Sequence, residues 1–429
     1  MSIAFPIISW ANGTNIYEVN IRQYTKEGTL KAFMEHIPRL RRMGIEILWF
    51  MPITPISVEK RQGTYGSYYA ASSYTDIDPA YGTVEDFKEL IKISHEYGLK
   101  VIIDWVANHT GYDHQWTKAN PGWYRQDEQG NFIELYGWVD VIDLNYDIPE
   151  MRNEMIRSMR HWIKEFNIDG FRCDMARTVP IDFWIEARAQ CDALKPLFWL
   201  AECEILDYHE AFDATYGWEA MRAFDKYFKA DPEEKNPITL KDIIGILTTY
   251  SRYPVGSRKL LFTSNHDENT YYGTEYEKYG VAVKAMAVFS CTWPGIPLIY
   301  SGQEKPNTKR LAFFEKDFID WEGPAELHEF YKILLALRKK NKALSESASV
   351  LIVPSNNPDV LVYLCRRQQD KVLVLLNLSK EKAQFYFDHP AMSGEYTELF
   401  TNNFVTVHRK ESFAFEPGQF AVYCVTKDN

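Results

Sequence analysis

Paired cysteines are missing from this chain. Its six cysteines (Cys173, Cys191, Cys203, Cys291, Cys365, Cys424) are scattered without a CxxC spacing, which excludes a zinc ribbon or a small disulfide scaffold. Reduced, buried thiols suit a cytoplasmic or otherwise non-oxidising setting. A basic surface is missing too. The formal net charge is −11, the wrong sign for phosphate-bearing partners, so nucleic acid is not expected. No apolar stretch reaches ~18 residues, so neither a transmembrane helix nor a membrane partner is expected. The start, Met1-Ser2-Ile3-Ala4-Phe5-Pro6, has no basic residue before its apolar ones. It does not read as a secretory signal, although a chain with its leader removed would look the same. Low-complexity tracts and short internal repeats are also lacking.

What is present is size, apolar content and rings. The chain has 429 residues, 46% hydrophobic, with 12 Trp and 27 Tyr. That suffices for a barrel of ~250 residues with accessory domains. Most of the aromatic rings are needed for the core. A few can stack on the flat apolar faces of sugars.

Strand-like and helix-like segments alternate through the first three quarters. Strands are expected at Ile16–Asn20, Ile45–Phe50, Leu99–Asp104, Gly170–Asp174, Phe198–Ala201, Ala214–Tyr216, Lys259–Thr263 and Ile296–Tyr300. Helices are expected at Leu30–Met43, Val84–Tyr97 and Met151–Phe166. About eight such repeats predict an α/β fold, a (β/α)8 TIM barrel, over 1–104 and 148–345. About forty residues rich in Trp, Tyr, Asp and Gly interrupt it after the third strand. So long a connection is usually functional, and 105–147 is read as an excursion domain. From 346 to 429 the pattern becomes strand-like, with Val360–Leu364, Lys371–Leu376 and Gln419–Tyr423 split by turn residues. This predicts an all-β C-terminal sandwich domain.

Polar residues end four of the barrel strands. The third runs into Asp104-Trp105-Val106-Ala107-Asn108-His109, the fourth carries Arg172 and Asp174, the fifth leads to Glu202, and the seventh leads to Asn265-His266-Asp267. Arg172 and Asp174 are two residues apart and leave the strand on one face. A neighbouring Arg keeps a carboxylate ionised. In barrel enzymes the C-terminal ends of several strands supply the catalytic groups. Two carboxylates across a glycosidic bond cleave it, one as nucleophile and one as acid, and the acid needs burial or nearby negative charge to keep its proton. Histidines beside them can donate to sugar hydroxyls. Each motif alone has a structural explanation, as an ion pair, a turn or a strand-end cap. Their joint order at strand ends is what points to chemistry.

These segments resemble the α-amylase family of retaining glycoside hydrolases over essentially the whole chain. Asp104–His109, Gly170–Asp174, Glu202 and Asn265–Asp267 are similar to its four core signatures, Val141–Asn145 to a further one, and Gly302-Gln303-Glu304 also fits. The resemblance implies that Asp174 is the nucleophile, Glu202 the general acid and base, and Asp267 the transition-state stabiliser. It places Tyr69, Asp104, His109, Arg172, Arg177 and His266 among the substrate-binding residues. The implied activity is hydrolysis of α-glucosidic, mainly α-1,4, bonds in starch-like glucans or maltooligosaccharides. Alternatives are a transglycosidase or isomerase on the same fold, and a non-catalytic glucan-binding protein. Chemistry of this kind needs no cofactor. A structural calcium ion would use Asn108, Asp143 and the Thr178 carbonyl. The chain also departs from the pattern. Arg177-Thr178 stands where many starch-cleaving members have Lys-His, Met175 where many α-1,6-specific members have Val, and Ser73 where Asp is common. Bond preference, endo or exo action and oligomeric state are left open. Trp105, Trp116, Trp123 and Trp138 are read as packing residues, and His114 and His161 as non-ligands.

Overall fold

A computed structural model describes residues 5–6, 8–230, 235–254, 256–345 and 348–425. Met1–Ala4, read above for a leader, and position 346, the expected domain boundary, lie outside the described residues. Eight strands form the centre: β1 Ile16–Val19, β2 Ile47–Phe50, β3 Lys100–Val106, β4 Gly170–Asp174, β5 Phe198–Ala201, β6 Ala214–Tyr216, β7 Arg258–Phe262 and β8 Ile296–Tyr300. They close into a barrel in the order β1-β8-β7-β6-β5-β4-β3-β2. Every strand residue except Lys100 is buried. Strands covered on both faces need apolar residues at successive positions, which explains runs such as Ile47-Leu48-Trp49-Phe50.

Register sets the rim. On β3 and β4, Asp104 pairs with Arg172 and Val106 with Asp174, while Arg172 pairs with Leu200 on β5. Gly170 allows this approach, since a Cβ there would run into the Phe198 carbonyl oxygen. The expected helix over Leu30–Met43 is two helices, Leu30–Met34 and Ile37–Met43. Pro38 sits in the first turn of the second; it has no N–H to continue a helix and disfavours helical geometry in the residue before it. Val84–Glu96 starts on a reciprocal Thr83–Asp86 cap, and Pro149–Phe166 ends on Asn167 in the left-handed region.

By contacts the chain divides into two compact units. The first holds Ile16–Tyr216 with Tyr300–Ala325, and the second holds Gly217–Ile299 and the segment from Glu326 on. Within the first, the segment after β3 carries two short paired strands, His109–Gly111 and Val141–Asp143, which set His109 opposite Asp143. Within the second, six antiparallel strands run side by side in the order Ser349–Ile352, Val360–Arg367, Asp370–Asn377, Phe420–Val425, Gly394–Glu398, Phe404–Val407. Ala383–Tyr386 pairs with Ser412–Phe415 in a second sheet. Val362, Leu364, Leu373 and Leu375 of the large sheet share one apolar cluster with Phe385 and Phe415 of the small one.

Candidate active site

The C-terminal ends of β3, β4 and β5 meet at one guanidinium. Arg172 is buried and contacts three carboxylates: Nη1 donates to Asp104 Oδ1 at 2.9 Å and to Asp174 Oδ1 at 2.8 Å, and Nη2 lies 3.0 Å from Glu202 Oε2. Its Nε donates to the Tyr216 hydroxyl at the end of β6, 3.2 Å away. Burial opposes the charge on Arg172, but Asp104 and Glu202 outweigh it and hold its pKa well above the usual arginine value. The planar fork lets one side chain serve several acceptors.

The three carboxylates are held differently. Asp104, expected to bind substrate, has no exposed side-chain surface. Its Oδ2 accepts from Trp49 Nε1 and from the Tyr69 hydroxyl, each at 3.2 Å. Asp174 and Glu202 retain 9% and 11% side-chain exposure, enough to face a ligand. Glu202 is placed by the β4–β5 ladder, which continues one step past β5 through its N–H to the Cys173 carbonyl at 3.0 Å. Its Oε2 accepts from the Met175 N–H at 2.9 Å. The 3.0 Å contact with Arg172 Nη2 lacks hydrogen-bond direction. Met175 takes φ 43°, ψ 41°. That left-handed conformation is costly for a residue with a branchless but full side chain, and it turns the N–H towards Glu202. Cys173, between Arg172 and Asp174, is fully buried.

Tyr69 and His109 line the same cluster. The Tyr69 ring stacks near-parallel on Phe313, with centroids 6.4 Å apart. His109 is buried, which lowers its pKa to about 4 despite a hydrogen bond to the Tyr69 backbone. It is neutral at pH 7. Asn108 Nδ2 lies 3.2 Å from its Nδ1; with Nδ1 accepting there, the one N–H of the neutral ring serves the hydrogen bond to the Tyr69 backbone. Arg177, three residues past Asp174, is exposed. The expected calcium residues divide. Asn108 Nδ2 donates to Asp143 Oδ1 at 3.1 Å, so a donor faces the carboxylate where a cation would need another acceptor. Burial and then Glu134 raise Asp143 to about 6. Thr178 Oγ1 donates to the Met175 carbonyl at 2.7 Å. Among the described residues, no group of three or more His, Cys, Asp or Glu side chains is placed to hold a metal.

His266 and Asp267 belong to the second unit and follow β7. His266 is buried, with Nε2 3.5 Å from Asp267 Oδ2, and Asp267 keeps 34% side-chain exposure. Asn265 Oδ1 accepts from the Glu268 N–H at 2.8 Å and fixes the turn into the π-helical segment Glu268–Tyr272.

Sequence reasoning missed Trp49 and Tyr216. Trp49 faces Asp104, its ring 4.9 Å from the Arg172 guanidinium; Tyr216 accepts from Arg172 Nε. Both end or nearly end barrel strands, the one signal that could have raised them. Trp105 and Trp116 are buried and Trp123 is half-buried. Trp138 departs from the packing expectation, at 38% exposure. His114 is buried in the core, its pKa pushed by burial down to about 3.

A cation binding several carboxylates at strand ends, two of them accessible, is equipped for acetal chemistry. Comparison with known proteins agrees. The chain is 24% identical to Alpha-amylase 3 of Dictyoglomus thermophilum over 89% of its length and 87% of the relative's. It is 26% identical to Alpha-amylase MalA of Haloarcula japonica over 87% of its length, but spans only 56% of that protein. The solved structure of a noncanonic maltogenic alpha-amylase, AmyB from Thermotoga neapolitana, superposes with a TM-score of 0.88 at 30% identity, covering 97% of this chain and 99% of that one. The model of the alpha-amylase catalytic domain matches residues 9–129 and 117–322. The chain belongs to the alpha-amylase family.

Proposed function

We propose that this protein is a retaining glycoside hydrolase that cleaves α-glucosidic bonds in maltooligosaccharides or starch-like glucans. The observation that carries the reading is the Arg172 hub, which holds Asp174 and Glu202 on the two terminal nitrogens of one guanidinium. That arrangement favours the close carboxyl spacing of retaining enzymes, about 5–5.5 Å, over the about 6.5–9.5 Å of inverting ones.

In the first step an Asp174 carboxylate oxygen attacks the anomeric carbon. The bond to the leaving sugar breaks, and its oxygen takes the proton carried by Glu202. The product is a β-glycosyl ester on Asp174. In the second step Glu202 accepts a proton from water, whose oxygen attacks the same carbon and frees Asp174. Asp267 is assigned to the sugar hydroxyls and the developing charge by its place after β7 in the family pattern. His109 and His266 are assigned to hydroxyls of the same sugar, and Tyr69 to stacking beneath it. Asp104 has no surface to offer a ligand and is assigned to positioning Arg172 and Tyr69 instead. Arg177, exposed past Asp174, is assigned to the leaving-side sugar. The barrel over 1–104 and 148–345, the excursion over 105–147 and the sandwich from 346 serve as the working domain boundaries. The maltogenic character of the Thermotoga neapolitana relative favours short maltooligosaccharide products.

The Asn108–Asp143 pair is inferred to act as a hydrogen bond between β3's extension and the excursion rather than as a calcium site. No ion is needed for the two chemical steps.

The test is a product profile on maltoheptaose with the wild type and Asp174→Asn. The wild type should release sugars of retained configuration, followed by NMR at early times. Asp174→Asn should lose at least about 10³-fold in kcat, as loss of a covalent nucleophile does. Turnover near the wild-type rate in the variant, or inverted product, would refute the assignment. Products longer than the substrate would assign the glycosyl group to a sugar acceptor instead of water.

A further inference from the structure

The excursion carries an exposed apolar loop that the catalytic assignment leaves unused. Leu135, Tyr136, Trp138 and Val139 are 58%, 41%, 38% and 62% exposed. Four neighbouring apolar residues exposed together go beyond the scattered single ones normal on a surface. The loop is held in shape. The Glu134 carboxylate accepts from the Tyr136 N–H, from Gly137 at 2.6 Å and from Trp138 at 2.8 Å. Asp143 accepts from the Leu135 N–H at 3.2 Å. Gly137, at φ +88°, makes a turn that other residues resist.

The turn sets two rings together and beside the site. Tyr136 and Trp138 have centroids 5.2 Å apart with planes tilted by 34°. Trp138 also meets the His109 ring edge-on, at 5.3 Å and 63°. An edge contact occupies one side of the indole, and the residue's exposure leaves ring surface for a ligand. A pyranose presents a face of C–H bonds, apolar and ring-sized, and sugar-binding pockets pair such faces with aromatic walls and a few polar groups. Continuity with His109 selects a ligand of the same site over a protein partner.

We propose that Tyr136 and Trp138 form an aromatic platform for a glucose ring next to the one His109 binds, and so set the chain-length preference of the enzyme. Glu134 is the positioning residue of that platform. The proposal rests on the α-glucan reading above and names how that site grips its substrate.

Trp138→Ala should lower kcat/KM on maltoheptaose about tenfold, the equivalent of about 1.4 kcal/mol. On an aryl α-glucoside, with one sugar ring, the loss should stay below threefold. Trp138→Phe, which keeps a stacking face, should recover most of the loss. In a Glu202→Gln background, titration calorimetry with maltoheptaose should show a matching rise in Kd for Trp138→Ala. Equal losses on both substrates would mean that Trp138 only supports His109, and no loss on either would also overturn the platform. Should the wild type turn over neither substrate, the hydrolase reading falls, and the calorimetric Kd still decides the platform. A changed oligomeric state in Trp138→Ala with unchanged Kd would assign the patch to a second copy and overturn it as well.

Discussion

Replacing Arg172 with Met tests the centre of the site. Arg172 is buried, with Nη1 on Asp104 and Asp174 and Nη2 beside Glu202. Methionine fills much of the volume but removes the charge and the donors. Two charge-assisted hydrogen bonds to carboxylates vanish, each worth about 1.5–3 kcal/mol. Three carboxylates lose the cation they share. Breaking a buried pair from one side typically costs about 3–5 kcal/mol, and that is the loss expected at pH 7 by urea denaturation. The sign of its pH dependence follows. Without the cation, like charges and burial raise the folded-state pKa values of the cluster above the unfolded values near 4. The folded variant then binds more protons than the unfolded chain. Its deficit against the wild type is therefore smallest at low pH and grows as pH rises through those raised values. Denaturation at pH 5 and pH 7 reads the difference. Arg172→Lys should recover part of the stability, since charge returns, yet leave kcat low, since one ammonium cannot reproduce a planar fork. An Arg172→Met protein as stable as the wild type at pH 7, with no pH-dependent deficit, would refute the hub.

Three further outcomes follow from single contacts. Tyr216→Phe removes the hydroxyl that accepts from Arg172 Nε at 3.2 Å; it should cost about 1–3 kcal/mol in urea and lower kcat more than KM, and a neutral result would sever Tyr216 from the site. Burial holds His109 near about 4 and His114 near about 3, so both protonate more easily in the unfolded chain, whose His pKa is about 6.5. Their stabilisation is present above about 6.5 and declines as pH falls, by about 2 kcal/mol each at pH 5. His114→Gln should remove about half of that pH 7 to 5 loss, and an unchanged slope would contradict the burial. EDTA should leave the melting transition unmoved if Asn108 and Asp143 bind each other rather than calcium; a fall of several degrees, reversed by calcium, would refute that pairing.

Much of the barrel was legible because its strands are buried on both faces. Gly170–Asp174, Phe198–Ala201, Ala214–Tyr216 and Ile296–Tyr300 start and stop at the expected bounds. The C-terminal sheets were harder. The three strands recognised there, around Val362, Leu373 and Val422, are the most buried. Ser349–Ile352, Gly394–Glu398, Phe404–Val407 and Ser412–Phe415 are short and partly exposed, so polar residues interrupt the apolar signal. The Leu30–Met43 break was written in Pro38, but a strong apolar period concealed it. In the site, residue types announced themselves and neighbours did not. That Asp104 is saturated depends on Trp49, 55 positions away, and on Tyr69, 35 away. No local pattern carries such distances. Trp138 looked like its neighbours in sequence, and only its place on a Glu134-held turn separates it from the buried Trp105 and Trp116.

The hub also divides labour among its acids. One cation faces three carboxylates, so full ionisation would leave a surplus of negative charge in a buried place. One carboxyl is therefore pressed to keep a proton, which is what a general acid requires. Asp104 and Asp174 accept directed bonds from Nη1, and those are strongest to ionised oxygen. Glu202 has an ion contact without direction and a bond from the Met175 N–H, which a carboxylic acid's carbonyl oxygen still accepts, though more weakly than a carboxylate does. Protonating Glu202 therefore forfeits no directed bond from Arg172 Nη1, whereas protonating Asp104 or Asp174 weakens one. The alkaline limb of the kcat/KM profile should report loss of the Glu202 proton. Asp104→Asn removes one negative charge from the hub and frees Arg172 to act more on Glu202. Both effects lower the Glu202 pKa, so the alkaline limb should move to lower pH by about one unit, although Asp104 has no exposed side-chain surface of its own. An alkaline limb that stays in place in Asp104→Asn, while the variant folds and turns over maltoheptaose, would show that the charge of Asp104 is not felt at Glu202.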